Sequence, residues 1–230
     1  MTGDERIARG MAAQMRARQA LLDAGHTHLG WKVGLNAPEA QAQAGIDAPV
    51  VGFLTGATEL ESGSEHSLEG GVHVGIEPEL AAHLVAGVDS ASTPEQVAEA
   101  IGAVGPAVEI VDVDRDFDDL EAILAGDIFH RAVLFGAPDA GRAGGDLTAI
   151  VAEVKVNGAQ EWTAAAAYAY DDLGAIITGV ARRLDEVGEA LRAGERVIAG
   201  SLCPIEWVSA GDEVTVDYGR LGSLAVTFTA

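Results

Sequence analysis

The chain has 230 residues, of which 48% are hydrophobic and 22% are charged, the balance of a soluble globular protein with a substantial core. Its formal net charge of −22 argues against nucleic acids and anionic membranes as partners, because both require a basic face. An anionic small molecule would have to be attracted by a local cation, which is a mild indication of a bound metal.

The single cysteine, Cys203, excludes an intramolecular disulfide and a metal site built from several cysteines. The first residues include Asp4, Glu5 and Arg6 and lack the apolar stretch of a secretory signal. No apolar run is long enough to span a bilayer. We therefore expect a cytoplasmic protein.

Apolar spacing, glycines and prolines predict the elements of the first half of the chain. The helix start at Ser92-Thr93-Pro94-Glu95 combines a capping residue with proline in the first turn. The predicted elements are a helix over 4–24, a strand over Leu29–Leu35, a short helix over Pro38–Gly45, a strand over Val50–Leu54, a loop or loose hairpin over Glu59–Gly71, and strands over Ile76–Val85 and Val104–Asp112.

The second half opens with an acidic loop, Asp112–Asp119, before a helix near Leu120. Asn157-Gly158 between two apolar runs predicts a β-hairpin. Helical periodicity extends over Asp171–Arg192, and three short strands follow near Val197, Val214 and Leu224. Many strands with interspersed helices, without regular βα alternation, predict an α+β fold with a β-rich mixed core and flanking helices.

Three glutamates lie on two of the predicted strands, Glu77 and Glu79 on the first and Glu109 on the second. Side chains two residues apart on a strand face the same side, so Glu77 and Glu79 would repel each other unless a proton or a cation lies between them. Carboxylates without nearby cysteines suit Mg²⁺ or Mn²⁺. The alternative is an ordinary edge strand with solvated glutamates.

Lys32 lies in the segment Gly30-Trp31-Lys32-Val33-Gly34-Leu35, between apolar residues and flanking glycines. Such a lysine can pack its stem and present its ammonium group to a cleft. Beside a metal its pKa would fall, and it could act as an acid or base. The alternative is a surface lysine.

Six short motifs occur in the order found in one protein family. The chain resembles the 2-keto-4-pentenoate hydratase and 4-oxalocrotonate decarboxylase branch of the fumarylacetoacetate hydrolase superfamily. The resemblance begins near Leu29, which divides the chain into an N-terminal helical segment, 1–28, and a catalytic domain, 29–230. The motifs are G-W-K-V-G-L-N (30–36), G-I-D-A-P-V-V-G-F-L (45–54), E-P-E (77–79), P-A-V-E-I-V-D (106–112), A-G-S-L (199–202) and L-G-S-L (221–224).

The resemblance implies a β-rich fold, homo-oligomers, and Mg²⁺ or Mn²⁺ held by Glu77, Glu79 and Glu109. It implies a small 2-oxo acid as substrate, chelated by the metal, which stabilises the enolate. Lys32 would stabilise that enolate or relay a proton. Ser201, in the pair Gly200-Ser201, is a candidate contact for the substrate carboxylate.

Three departures from the family pattern bear on the substrate. The hydratases usually carry an acidic residue where this chain has Val50, whereas the decarboxylases tend to be apolar there. The segment Asp127-Ile128-Phe129-His130-Arg131 replaces a pattern resembling D-N-A-S-S. It adds His130 as a candidate acid or base and Arg131 as a candidate anion contact, unless the segment only packs and solvates. The stretch Ala164–Ala167 is alanine-rich where relatives are glycine-rich.

Four functions follow from these observations. The first is a metal-dependent lyase of the hydratase type, and the second is a decarboxylase, which Val50 favours. The third is hydrolysis of an acylpyruvate C–C bond, for which His130, or the His26–His28 pair, would have to supply a base. The fourth is a non-catalytic partner subunit of such a lyase, against which the joint presence of Lys32 and the three glutamates argues.

Overall fold

The computed structural model describes residues 4–166 and 172–230. Two β-sheets with packed helices confirm the predicted α+β class. No helix among the residues just given is long and apolar enough to cross a membrane. The helices are α1 (Glu5–Asp23), α2 (Pro38–Ala44), α3 (Pro94–Ala100), α4 (Leu120–Ala125) and α5 (Leu173–Asp185), with short 3₁₀ turns at Ala140–Arg142 and Gly219–Leu221.

The larger sheet has the order β2-β1-β10-β5-β6-β7-β3, with β11 paired to β5, and the smaller sheet has the order β4-β13-β12-β8-β9. The strands are β1 (His28–Gly34), β2 (Val50–Thr55), β3 (Glu59–Leu60), β4 (Ser64–Ser67), β5 (Val74–Leu84), β6 (Ile101–Asp112), β7 (His130–Phe135), β8 (Val151–Val156), β9 (Ala159–Ala165), β10 (Arg196–Ile198), β11 (Glu206–Trp207), β12 (Glu213–Asp217) and β13 (Ser223–Thr229).

The two strands that carry the glutamates form a long antiparallel pair inside the larger sheet. In this register Glu77 lies opposite Glu109, and Glu79 lies opposite Ala107. Because β5 is also paired with β10, it is an interior strand, and the alternative of an edge strand with solvated glutamates is wrong. The sheet therefore holds all three carboxylates in its middle.

Two local predictions are confirmed in detail. Thr93 caps α3, and a reciprocal hydrogen bond from its backbone to the Gln96 side chain completes a capping box. Asn157 and Gly158 have φ values of 52° and 79° and join β8 to β9. Positive φ at both central residues is the geometry that favours Asn-Gly in tight hairpins.

The structure differs from the sequence prediction in the segment Glu59–Gly71. Its two short strands do not form a hairpin, because β3 pairs with β7 and β4 pairs with β13, both in parallel. The strands β7 and β11 were not predicted. The partners of β3, β4 and β11 are distant in sequence, and strands this short carry little local signal. Strand β7 pairs with the preceding strand, β6, across α4.

The last helix is shorter than its periodicity predicts. The predicted start of this helix, Asp171, lies outside the described residues, as does Ala167, the predicted end of the alanine-rich stretch. Asp172 caps α5 by accepting a hydrogen bond from Gly174 N–H. The helix ends at Asp185, because Gly188 adopts a positive φ of 75° and Leu191 bridges to Val88. The apolar spacing beyond Asp185 therefore reflects core packing of an irregular segment.

Helix α1 packs against α4 across a second apolar cluster beside the main core, which includes Met11, Val50, Ile123 and Ile128. The buried amide of Gln14 donates to Leu124 O at 3.0 Å. This cluster supports the turn that follows α4, and that turn forms one wall of the cavity described below.

Candidate metal and substrate site

The three glutamates converge at one point on the larger sheet. One carboxylate oxygen from each of Glu77, Glu79 and Glu109 lies within 4.8 Å of the others. Glu79 and Glu109 are each 1% exposed, and Glu77 is partly exposed to a cavity. The predicted cluster is thus brought together, with one member accessible from the cavity.

Two buried oxygens of these carboxylates have no hydrogen-bond donor among the described residues. Glu79 Oε2 accepts from Gly200 N–H at 2.8 Å. In the described part of the chain, Glu79 Oε1 and Glu109 Oε2 are buried and accept no hydrogen bond. Because a buried carboxylate oxygen is normally paired, these oxygens and the oxygen-only donor set fit a hard divalent cation.

Lys32 is buried beside this cluster. Its Nζ donates to Glu109 Oε1 and, at 2.9 Å, to Ile128 O. Gly52 lies opposite Lys32 on β2, and a Cβ there would come within 2.8 Å of Lys32 Cγ. The glycine therefore makes room for the lysine stem.

Burial and mutual repulsion set the protonation of the cluster. Burial raises the pKa of Glu77 to about 7, and the Glu109 charge adds to this. Burial and the same charge raise the pKa of Glu79 well above its usual range. Burial also raises the pKa of Glu109, but Lys32 and His130 outweigh it, so the net direction is downward. Glu109 is thus the carboxylate that is held ionised by its neighbours.

The pKa of Lys32 is raised rather than lowered. Burial alone would lower it, but the Glu109 and Asp127 carboxylates outweigh that effect. The expectation of a lowered pKa concerned a lysine beside a bound cation, whereas here the carboxylates act alone. Lys32 is therefore a protonated donor in this state.

Tyr218 supports the glutamate strands and was missed by the sequence analysis. Its buried hydroxyl accepts from Glu79 N–H at 3.2 Å and donates to Ala107 O, joining β5 to β6 below the carboxylates. Burial raises the pKa of Tyr218 well above its usual range. Its sequence neighbourhood, a short strand end followed by Gly219, gives no signal for this role.

A left-handed turn precedes β7. The residues Asp127, Ile128 and Phe129 have φ values of 59°, 53° and 64°. Positive φ is unfavourable for a β-branched residue, and such strain concentrates at functional sites. The turn places Ile128 O on Lys32 and sets the side chains of Ile128 and Phe129 in the cavity wall.

The cavity has a volume of about 490 Å³ and opens over Lys32 and Glu77. Ser201 also lines it, with its hydroxyl donating to Cys203 O at 2.6 Å. Burial raises the pKa of the Cys203 thiol to about 12. Most of the remaining wall is apolar; these residues are Val33, Leu35, Ala37, Pro38, Ala40, Val111, Val113, Phe117, Ile128, Phe129, Leu202, Pro204 and Ile205.

Three candidate residues lie outside this cavity. Val50 is fully buried and borders a neighbouring groove against α5. Arg131 pairs with Asp112 at 3.0 Å and donates to Glu69 O. His130 contacts Glu109, with Nδ1 2.7 Å from Oε1, but does not line the cavity.

The outlying histidine pair is not brought to the cavity. His26 is exposed, and His28 packs against Trp31. The His28 ring nitrogens face Arg18 at 3.3 Å and Glu195 at 3.4 Å. Its contacts therefore tie α1 to the sheet.

Comparison with known proteins identifies relatives along almost the whole chain. A 4-oxalocrotonate decarboxylase from Pseudomonas sp is 28% identical over 100% of this chain and 90% of its own length. A 2-hydroxyhexa-2,4-dienoate hydratase from Comamonas testosteroni is 27% identical over 94% of this chain and 82% of its own.

Solved structures give the same result. The 4-oxalocrotonate decarboxylase from Pseudomonas putida G7, complexed with magnesium and adipate, matches with a TM-score of 0.87. It is 25% identical over 96% of this chain and 86% of its own. The same enzyme complexed with calcium and acetate gives a TM-score of 0.86 at 25% identity, over 96% of this chain and 85% of its own. The model of the fumarylacetoacetate hydrolase C-terminal family matches residues 28–229. The chain therefore belongs to the fumarylacetoacetate hydrolase family.

Proposed function

We propose that the chain is a divalent-metal-dependent lyase of the 2-keto-4-pentenoate hydratase type, acting on a short 2-oxo or 2-hydroxydienoate acid. The observation that carries the proposal is the group of three converging glutamates with two unpaired buried oxygens, beside Lys32 and open to an apolar cavity. Relatives named as hydratases and decarboxylases support the same class of substrate.

Glu77, Glu79 and Glu109 would hold Mg²⁺ or Mn²⁺. When bound, the cation supplies Lewis-acid stabilisation of negative charge on a 2-oxo acid. Glu77 is the ligand that reaches the cavity, so a substrate would approach the group from that side. Gly200 N–H and Tyr218 fix Glu79 and its strand from behind.

Lys32 would act as a proton donor and hydrogen-bond donor toward the substrate. It lines the cavity, and it is held by Ile128 O and Glu109 in one orientation. A fixed ammonium group beside the reacting atoms stabilises developing negative charge without reorganisation. Ser201 would orient the substrate carboxylate, exchanging its hydrogen bond to Cys203 O for one to the ligand.

The cavity wall favours a substrate whose distal end is uncharged. Among the residues that line the cavity, Lys32 is the single basic side chain. Arg131 is engaged by Asp112, and the positions outside the described ranges carry no Lys, Arg or His. A second carboxylate would be buried without a partner, which is costly.

A decarboxylase is the second candidate. Val50 is apolar at a position where decarboxylases of this branch tend to be apolar, although it is buried outside the cavity and would act on the substrate only indirectly. An acylpyruvate hydrolase would need a base in the cavity, and neither His130 nor His28 lines that cavity. A non-catalytic subunit would need none of the four charged residues. Assembly into homo-oligomers remains a prediction.

The test follows 2-hydroxypenta-2,4-dienoate and 2-oxohex-3-enedioate by ultraviolet absorbance, with and without Mg²⁺ or Mn²⁺. We expect metal-dependent loss of the first compound, absent in Glu79→Gln. Release of carbon dioxide from the second would establish the decarboxylase instead. If oxalate, a mimic of the 2-oxo acid enolate, fails to bind in the presence of metal, the metal-dependent reaction is refuted.

A further inference from the structure

Glu109 Oε1 receives two donors inside the protein. One is Lys32 Nζ, and the other is His130 Nδ1 at 2.7 Å. The side chains of Glu109 and His130 are 1% and 4% exposed, so water does not compete for this contact. The other oxygen of the same carboxylate, Oε2, accepts no hydrogen bond from the described residues.

The other ring nitrogen of His130, Nε2, also has a hydrogen-bond partner. His130 Nε2 lies 2.9 Å from Thr58 Oγ1. An ionised carboxylate only accepts hydrogen bonds, so Nδ1 carries the proton that faces Glu109. On the other side of the ring, Nε2 is within hydrogen-bond distance of the Thr58 hydroxyl, which also lies 3.3 Å from Thr55 O. Thr58, His130 and Glu109 thus form one hydrogen-bonded chain that ends at the proposed metal ligand.

We propose that His130, anchored by Thr58, is a positioning residue that fixes the rotation of the Glu109 carboxylate. It keeps Oε1 engaged within the protein and leaves Oε2 available to the cation. The inference rests on the proposed metal-dependent function. Partners of this kind orient metal-binding carboxylates, and their loss typically lowers metal affinity 10- to 100-fold.

The turn before β7 supplies both inner contacts. Ile128 O holds Lys32, and His130 follows two residues later with its ring turned inward. The three successive positive φ values make this possible, because they reverse the chain between α4 and the sheet. The strained turn therefore orients both Lys32 and His130, which donate to the same oxygen of Glu109.

Mn²⁺ affinity, measured by electron paramagnetic resonance of the free ion, tests the proposal without relying on turnover. In His130→Leu, which keeps much of the volume but has no donor, we expect binding 10- to 100-fold weaker than in the wild type. In His130→Asn, the amide nitrogen takes the place of Nδ1, and affinity should return to within a few-fold of wild type. Thr58→Val should show an intermediate loss.

A merely structural role predicts a different pattern. His130→Leu would then lower the melting temperature in EDTA but leave the Mn²⁺ dissociation constant unchanged, which would overturn the proposal. Tighter Mn²⁺ binding in His130→Leu would overturn it too, since it would mean that the ring repels the cation. If His130→Leu fails to fold, unchanged affinity in Thr58→Val decides against the proposal. Absence of Mn²⁺ binding by the wild type refutes the proposed function itself.

Discussion

Glu77 and Glu109 lie directly opposite each other on the antiparallel strands β5 and β6. Like charges at opposed positions destabilise a sheet, and here burial weakens the solvent screening that would reduce the repulsion. Glu79, two residues from Glu77, adds a third carboxylate on the same face. The folded chain therefore carries a local electrostatic cost that the proposed divalent cation would reduce.

The first prediction concerns Glu79→Gln and metal-dependent stability. In wild type, Mg²⁺ or Mn²⁺ at about 100 times its dissociation constant should stabilise the fold by about 2.7 kcal/mol. For a chain of this size that corresponds to an increase in melting temperature of about 5–10 °C. In Glu79→Gln this increase should be lost, because a neutral amide is a poor ligand. Differential scanning calorimetry with metal and with EDTA measures both.

The metal-free variant supplies the control. Glutamine keeps the oxygen that accepts from Gly200 N–H and cannot add a negative charge to the buried cluster. Glu79→Gln in EDTA should therefore melt at or above the wild-type temperature. A large loss of stability in EDTA would show instead that the carboxylate is needed for folding itself.

The second prediction is a pH dependence that originates at Asp127. Burial raises its pKa to about 7 from the ordinary value of 3.8, while His130 and Lys32 oppose the shift. The protonated form is thus favoured on folding: its stabilising contribution is complete below about pH 3.8 and is lost as the pH rises through about 7. Asp127→Asn keeps the acceptor for Phe53 N–H but does not titrate.

Metal-free Asp127→Asn should therefore gain stability relative to wild type between pH 4 and pH 8, by at most about 1.4 kcal/mol per pH unit. Urea unfolding at several pH values gives the difference. The variant Asp118→Asn, at an exposed position, serves as a control for the loss of one formal charge. A difference between Asp127→Asn and wild type that does not change with pH would contradict the assignment.

The third prediction concerns Gly52→Ala, which would place a methyl group against Lys32. A Cβ at Gly52 would lie 2.6 Å from Asp127 Oδ1 and 2.8 Å from Lys32 Cγ. Gly52→Ala should displace the lysine and reduce kcat/KM by about 100-fold, with a loss of about 1–3 kcal/mol in stability. Steady-state kinetics and urea unfolding measure the two effects.

Gly179→Ala is the matched control for Gly52→Ala. Gly179 lies within α5, and a Cβ there meets no atom within 4 Å. Alanine in a helix interior is more favourable than glycine by roughly 0.5–1 kcal/mol, so this variant should be more stable and fully active. Equal kinetics for Gly52→Ala and Gly179→Ala would show that Lys32 needs no fixed position.

The sequence predicted the strands of the glutamates and their common face, because period-two alternation and the E-P-E spacing are local signals. It could not predict that Glu109 lies opposite Glu77, since strand register depends on pairing between distant segments. Nor could it predict Tyr218, whose hydroxyl reaches β5 and β6 from a turn far along the chain.

The orientation of His130 also could not be predicted from the sequence. The departure from the family pattern marked it as unusual, and the candidate role was that of an acid or base. The ring orientation depends on a turn with three non-glycine residues at positive φ, a conformation for which Ile128 and Phe129 give no sequence signal. Arg131 likewise pairs with Asp112 because of the pairing of β6 with β7.

The last prediction concerns the distal end of the substrate. With Mg²⁺ present, the unreactive acid 2-oxohexanoate should bind at least about tenfold more tightly than 2-oxoadipate, because the second carboxylate of 2-oxoadipate finds no basic partner in the wall. Isothermal titration calorimetry gives both dissociation constants, with oxalate as the reference for the metal-bound end. Val113→Arg, on the apolar wall, should reduce or reverse the preference, whereas the uncharged Val113→Met should keep it. If wild type binds 2-oxoadipate more tightly, and still binds oxalate only in the presence of metal, the preference for an uncharged distal end is refuted but the metal-dependent reaction is not. Such a result would favour the decarboxylase, whose substrate carries two carboxylates.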